Sequence, residues 1–240
     1  VNNQLAKRIG VVVLAVSVMS ACATTANNPK DPYESFNRAM FAVNEGIDVV
    51  LKPVAQGYDA AAPLPVKAGV GNFFGNLYDV WTAVNNFLQG KGQQGASDVG
   101  RVLVNTTIGI GGIFDVASEM GLEKHSEDFG QTLGKWGVAD GPYFFWPLIG
   151  SRTTRDTFGW VVDSFADPVM GMNDIGARNS LAGVRLIDLR ASRLPTDKIV
   201  EQAAFDKYNY IRDAYLQNRR SAISDGIPAK DGECQQSRCF

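Results

Sequence analysis

His125 is the one histidine in the 240-residue chain, and it stands among Glu123, Glu127 and Asp128. An imidazole beside carboxylates is the makings of a general base or of a mixed nitrogen and oxygen metal site. The spacing argues against both. A helical ligand pair needs a second histidine one turn away. A Ser-His-Asp arrangement has only this residue as base, and no Gly-x-Ser-x-Gly elbow presents a nucleophile. Gly130-Gln131-Thr132-Leu133-Gly134-Lys135 has the letters of a phosphate-binding loop, but its glycines are one residue too close and Trp136 stands where a hydroxyl would hold magnesium. Gly109-Ile110-Gly111 lacks the third glycine of a dinucleotide fingerprint, and Asp128-Phe129-Gly130 lacks the catalytic loop that a kinase needs. The reading is a non-enzyme with no metal and no cofactor beyond a covalent lipid. A membrane-anchored hydrolase using His125 is the enzymatic alternative.

The lipid is expected on Cys22. Lys7 and Arg8 form a positive n-region, Ile9 to Met19 an apolar h-region too short for a comfortable bilayer span, and Met19-Ser20-Ala21-Cys22 resembles a lipobox. Cleavage before Cys22 would leave a thiol to carry diacylglycerol and an amine to carry a further acyl chain. Two or more chains turn marginal binding into stable anchoring, at about 0.8 kcal/mol per buried methylene. Ala23, where inner-membrane lipoproteins often have Asp, favours the outer membrane. Cys234 and Cys239 either pair across a short loop in an oxidising compartment or stay free in a polar tail.

With 23 basic and 25 acidic residues, the chain has no electrostatic footprint for nucleic acid. We read residues 1–21 as signal, 22–30 as lipidated tether, 31–224 as one domain and 225–240 as tail. Within the domain, Asp31-Pro32-Tyr33-Glu34 has the form of a helix start, with Asp31 as N-cap and Pro32 in the first turn. Phe36, Met40, Val43, Ile47 and Val50 follow on one face, and Pro53 is expected to end the helix. Val66, Val70, Phe73, Leu77, Val80, Val84 and Phe87 form a longer stripe, opposite uncharged Asn72, Asn76, Asn85 and Asn86. Such a stripe suits a buried core face or a helix lying in a bilayer interface. Ser97 to Asn105 predicts another helix, the glycines of Ile108 to Phe114 predict close backbone contacts, and Thr196 is expected to cap a last, solvated helix carrying Arg212 and Arg219. No strand alternation persists, so the fold reads as mainly α.

Four blocks carry a family resemblance: Asp31-Pro-Tyr-Glu-Ser-Phe-Asn-Arg38, Asn105-Thr-Thr-Ile-Gly-Ile-Gly-Gly-Ile-Phe-Asp115, Asp128-Phe-Gly-Gln-Thr-Leu-Gly134 and Gly141-Pro-Tyr143, with Arg155-Asp156 after them. In order and from about Asp31 to Pro168, the chain resembles the MlaA family, also called VacJ. The resemblance implies an outer-membrane lipoprotein facing the periplasm. It would take phospholipid misplaced in the outer leaflet and pass it to a periplasmic lipid carrier, beside a trimeric porin and without bond cleavage. It also implies a single-domain helical ring whose amphipathic helices sit in the membrane around a central channel. By its place in the family and its weak periodicity, the segment of Glu119, Gly121, Phe129, Gly130, Gly134, Gly137 and Gly141 is the candidate gating loop. A rigid surface loop is the alternative for that segment, and an envelope scaffold or adhesin without lipid transport is the alternative for the whole.

Overall fold

The computed structural model describes residues 28–203 and 205–226. The predicted signal, Cys22, most of the tether, Cys234 and Cys239 lie outside the described residues. Helix α1 spans Glu34–Ala61, α2 Leu64–Leu88, α3 Gly92–Thr107, α4 Val116–Glu119 and α5 Phe129–Lys135. A hairpin of β1 (Tyr143–Trp146) and β2 (Gly150–Thr153) follows, then α6 (Thr154–Ala166), α7 (Ile175–Ser192), α8 (Leu194–Ala203) and α9 (Lys207–Ile223). The fold is mainly α, as expected. The strands pair antiparallel with Phe144 opposite Arg152; at four residues each they are too short for alternation to stand out in sequence.

The elements close a circuit. Helix α1 packs on α7, α7 on α2, α2 on α5, α5 on α6, α6 on β2, and β1 returns to α1. The contact of α5 with α6 depends on two glycines: a Cβ on Gly159 would overlap the backbone of Gly130. Among the described residues no helix is long and apolar enough to cross a membrane.

The α2–α3 hairpin is built inside out. Asn76, Asp79, Thr82, Asn85, Asn86, Asp98, Arg101 and Asn105 are buried, whereas Val80, Val84, Phe87 and Leu103 are exposed. Asn86 donates to Asp98 at 2.7 Å, and Arg101 donates to Asp115 at 2.8 Å and to the Leu122 carbonyl at 2.6 Å. Each net contribution is about 1 kcal/mol, and about 1.5–3 kcal/mol where a charge takes part. The long stripe of α2 is therefore mostly an outer face, and its asparagines form the seam. Asn72 and Asn76 carry the glycine loop that follows α3: Asn72 donates to the Ile113 carbonyl at 3.1 Å. Gly112, at φ +88°, lies so close to Asn76 that a side chain there would overlap it.

Several expected boundaries move. Asp31 is not an N-cap. Helix α1 begins three residues later behind Tyr33, which makes no side-chain cap bond, and Asp31 is fully buried. Pro53 lies inside α1 rather than ending it, because tertiary packing outweighs the loss of one helical hydrogen bond. Thr196 falls within α8, and the last helix, α9, is capped by Asp206, whose carboxylate accepts from the Asn209 amide at 3.2 Å. Nor is α9 solvated along its length. Tyr208 and Arg212 are buried against the hairpin and the α1 start, while Asp213 and Arg220 stay exposed.

Candidate functional site

The circuit encloses a cavity of about 1120 Å³, somewhat larger than an ordinary small-molecule pocket. Its wall mixes hydrocarbon with charge. Helix α1 supplies Phe41, Leu51, Glu45 and Asp48; α2 supplies Phe74, Leu77, Tyr78 and Trp81; α6 supplies Trp160 and Asp163; α7 supplies Leu186, Leu189, Arg185 and Arg190; and Arg152 comes from β2.

Most wall charges are neutralised in place. Arg190 holds Asp48 with two bonds of 2.6 and 2.7 Å and Asp197 with one of 2.6 Å. The hydrogen bond from Arg190 keeps the Asp48 carboxyl below its usual range against the opposing effect of burial. Lys207 pairs with Glu45 at 2.7 Å and Arg185 with Asp167 at 2.6 Å. Asp128 caps α5 by accepting from the Gln131 amide at 2.8 Å, and Arg219 of α9 grips both its oxygens at 2.6 Å. Such a wall offers polar stations without a surplus of either sign, beside apolar surface for chains. It can pass an amphiphile.

The seven residues of the expected gating segment are all off the cavity wall, which their segment reaches only through Asp128. Glu119 ends α4, and Gly121, Gly137 and Gly141 take φ of +80°, +91° and +66° in the connections. Phe129, Gly130 and Gly134 belong to α5, which is fixed to α6 through Gly159. His125 also stands apart from the cavity, with Nδ1 2.9 Å from the buried Asp98 carboxylate.

Sequence reading named none of Arg152, Trp160, Asp163, Arg185 or Arg190. One signal was present: Asp163 is the single charged residue in the end of α6, Phe158 to Ala166.

The outer surface exposes hydrocarbon as well. Val49, Val50, Leu103, Ile108, Ile110 and Phe114 are exposed, Ile110 at 65 % and Leu103 at 61 %. A charge-bearing cavity beneath so much exposed hydrocarbon is unusual for a water-facing protein.

The family model described as MlaA lipoprotein matches residues 29–222. The chain belongs to the MlaA lipoprotein family. It is 33 % identical over 234 residues to the intermembrane phospholipid transport system lipoprotein MlaA of Escherichia coli K12, covering 94 % of this chain and 92 % of that protein. It is 30 % identical over 233 residues to the protein of the same description from Haemophilus influenzae, covering 92 % of each. An uncharacterized protein of Rickettsia typhi is 39 % identical over 195 residues, 80 % of this chain and 78 % of that one. The structure is similar to one solved in work on the structural basis for maintenance of bacterial outer membrane lipid asymmetry. The TM-score is 0.70 and the identity 34 %, over 80 % of this chain and 98 % of that chain.

The blocks that resemble the MlaA family hold its seams together. Asn37 donates to Asp31 at 2.8 Å and to the Tyr143 carbonyl at 3.0 Å, and accepts from the Phe145 amide at 2.9 Å. Asn105 accepts from the Ala117 amide at 2.8 Å and donates to Asp115 at 2.9 Å. Asp156 accepts from Arg219 at 2.9 Å and from the Tyr215 hydroxyl at 2.5 Å. The contacts of Asn37 with the hairpin and of Asp156 with α9 join distant parts of the circuit, and Phe145 and Tyr215 also face the cavity.

Proposed function

We propose that this protein is an outer-membrane lipoprotein that takes phospholipids from the outer leaflet and hands them to a periplasmic lipid carrier, maintaining lipid asymmetry. The observation that carries the proposal is the closed circuit itself, with hydrocarbon exposed on its outside and a cavity whose wall mixes hydrocarbon and paired charges. A lipid leaving a bilayer needs a polar path for its headgroup and an apolar one for its tails, and such a wall supplies both. Movement requires no bond cleavage, since a lipid follows its differential affinity for bilayer, cavity and carrier.

In this reading acyl chains on Cys22 hold the protein at the membrane, facing the periplasm. A trimeric porin beside it supplies lateral support, and the carrier receives lipid from the aqueous side. The segment from Glu119 to Gly141 gates the path through its connections on either side of α5, where Gly121, Gly137 and Gly141 take positive φ that residues with a Cβ rarely adopt. Helix α5 stays packed on α6.

The deciding experiment measures outer-leaflet phospholipid in cells lacking the protein, complemented with wild type or with Cys22→Ala. Accumulation reversed by wild type and not by Cys22→Ala is the expected result. No accumulation, with the protein still at the outer membrane, would overturn lipid removal in favour of a scaffold or adhesin.

A further inference from the structure

Four wall residues are left unneutralised or unpartnered among the described residues, three of them at least partly buried. Arg152 has no carboxylate within 4.0 Å among the described residues, and its Nε is buried without a hydrogen-bond partner. Its guanidinium lies 5.8 Å from the centre of the Trp160 ring, which fixes its position on the wall. Asp163, one turn further along α6, uses a single oxygen for both its hydrogen bonds: Oδ1 accepts from Trp81 Nε1 at 2.6 Å and from the Phe129 amide at 3.0 Å. Its Oδ2 has no partner among the described residues. Burial pushes the Asp163 carboxyl above its usual range, with Trp81 and the Phe129 amide acting against that rise. A cation at Oδ2 would relieve the same cost. The hydroxyl of Tyr78, on α2 and on the same cavity wall as Arg152 and Asp163, has no partner among the described residues. Arg193, another wall cation without a carboxylate, is exposed at the rim.

We propose that Arg152, Tyr78 and Asp163 form a headgroup subsite in which the phosphodiester lies on Arg152 and Tyr78 and an ammonium group lies on Asp163. The subsite would favour ethanolamine-type phospholipid over glycerol-type. This rests on the reading of the cavity as a phospholipid path. Arg152 gives two or more donors to one phosphate, which a neutral wall could not do. Asp163 supplies the discrimination: a glycerol headgroup offers it only hydroxyls, whereas an ammonium makes a charge-assisted bond.

The test titrates dihexanoyl phosphatidylethanolamine and dihexanoyl phosphatidylglycerol separately into the lipidated full chain in detergent. Inorganic phosphate and glycerophosphoethanolamine serve as tail-free controls. Wild type should bind the ethanolamine lipid about tenfold more tightly than the glycerol lipid, and the tail-free controls more weakly than either. Asp163→Asn, which keeps an oxygen for Trp81 and Phe129, should abolish the preference by weakening the ethanolamine lipid alone. Arg152→Gln should weaken both lipids, with Arg152→Lys recovering part of the loss, and melting temperature marks any variant that fails to fold. Equal affinities in wild type, a preference that survives Asp163→Asn, or inorganic phosphate binding as tightly as lipid would overturn the subsite while leaving the lipid path standing. Failure of wild type to bind either lipid would overturn both.

Discussion

Tyr208 donates its hydroxyl proton to Asp31 across 177 positions of sequence, in a site where Asp31 has no exposure to solvent. Arg212, one turn along α9 from Tyr208, reaches the same carboxylate at 3.3 Å. The start of the first helix and the last helix are thereby tied by one buried acid. Asp31→Ala would leave Arg212 without its buried partner and should cost about 3–5 kcal/mol. Asp213→Ala removes an exposed partner of the same guanidinium at 3.0 Å and should cost less than about 1 kcal/mol. Denaturant melts of the two variants check the contrast; equal losses would refute it.

The α5–α6 contact tolerates no added atom. Gly159→Ala should force the helices apart at a cost of about 1–3 kcal/mol. In α1, by contrast, nothing lies within 4 Å of a Cβ built on Gly57, so Gly57→Ala should stabilise by about 0.4–1 kcal/mol. Thermal unfolding would show shifts of opposite sign.

Acid should loosen the α3–α4 corner. Burial opposes ionisation of Asp115, but hydrogen bonds from Ser118, Asn105 and Arg101 prevail and hold its carboxyl at about 2, below the ordinary 3.8. A depressed folded-state value stabilises above the unfolded value and loses that contribution as pH falls through the folded one. The loss should run from about pH 4 to pH 2 and amount to on the order of 2 kcal/mol at its limit. Stability measured against pH should flatten over that interval in Asp115→Asn.

The exposed apolar tip should govern membrane contact separately from folding. Leu103→Asp with Ile110→Asp places two charges on outward positions, and Asp at residue 110 suits the φ of +52° there better than Ile does. Flotation of the unlipidated chain with phospholipid vesicles should fall several-fold while the melting temperature in detergent holds. Unchanged flotation would count against this tip as the seated surface.

What could be read from sequence followed from how local the cause was. The helical content and the outward stripe of α2 came from periodicity, because residues on one helix face share one solvent whether it is core or bilayer. Which solvent was not legible, since Val84 and Phe87 read the same against either; the buried Asn85 and Asn86 settle it only once α3 lies on them. The start of α1 was misplaced because the capping pattern at Asp31 is a local signal and its partners, Tyr208 and Arg212, are at the far end of the chain. Pro53 was overruled by packing for the same kind of reason. The family blocks were recognisable yet pointed mostly to seams, whereas the arginines and the free acid of the wall were hidden: Arg152, Asp163 and Arg190 meet only when the circuit closes.

The inverted α2–α3 seam bears on how stability should vary with temperature. Unfolding acquires its heat-capacity change chiefly from hydrocarbon newly exposed to water, and amides and carboxylates contribute with opposite sign. A hairpin that keeps Asn76, Asn86, Asp98 and Arg101 inside and its valines and phenylalanine outside has little hydrocarbon to expose. Its stability curve should therefore be shallow, with cold doing little to weaken it, and the hairpin should depend more on the dielectric of its surroundings than on their warmth.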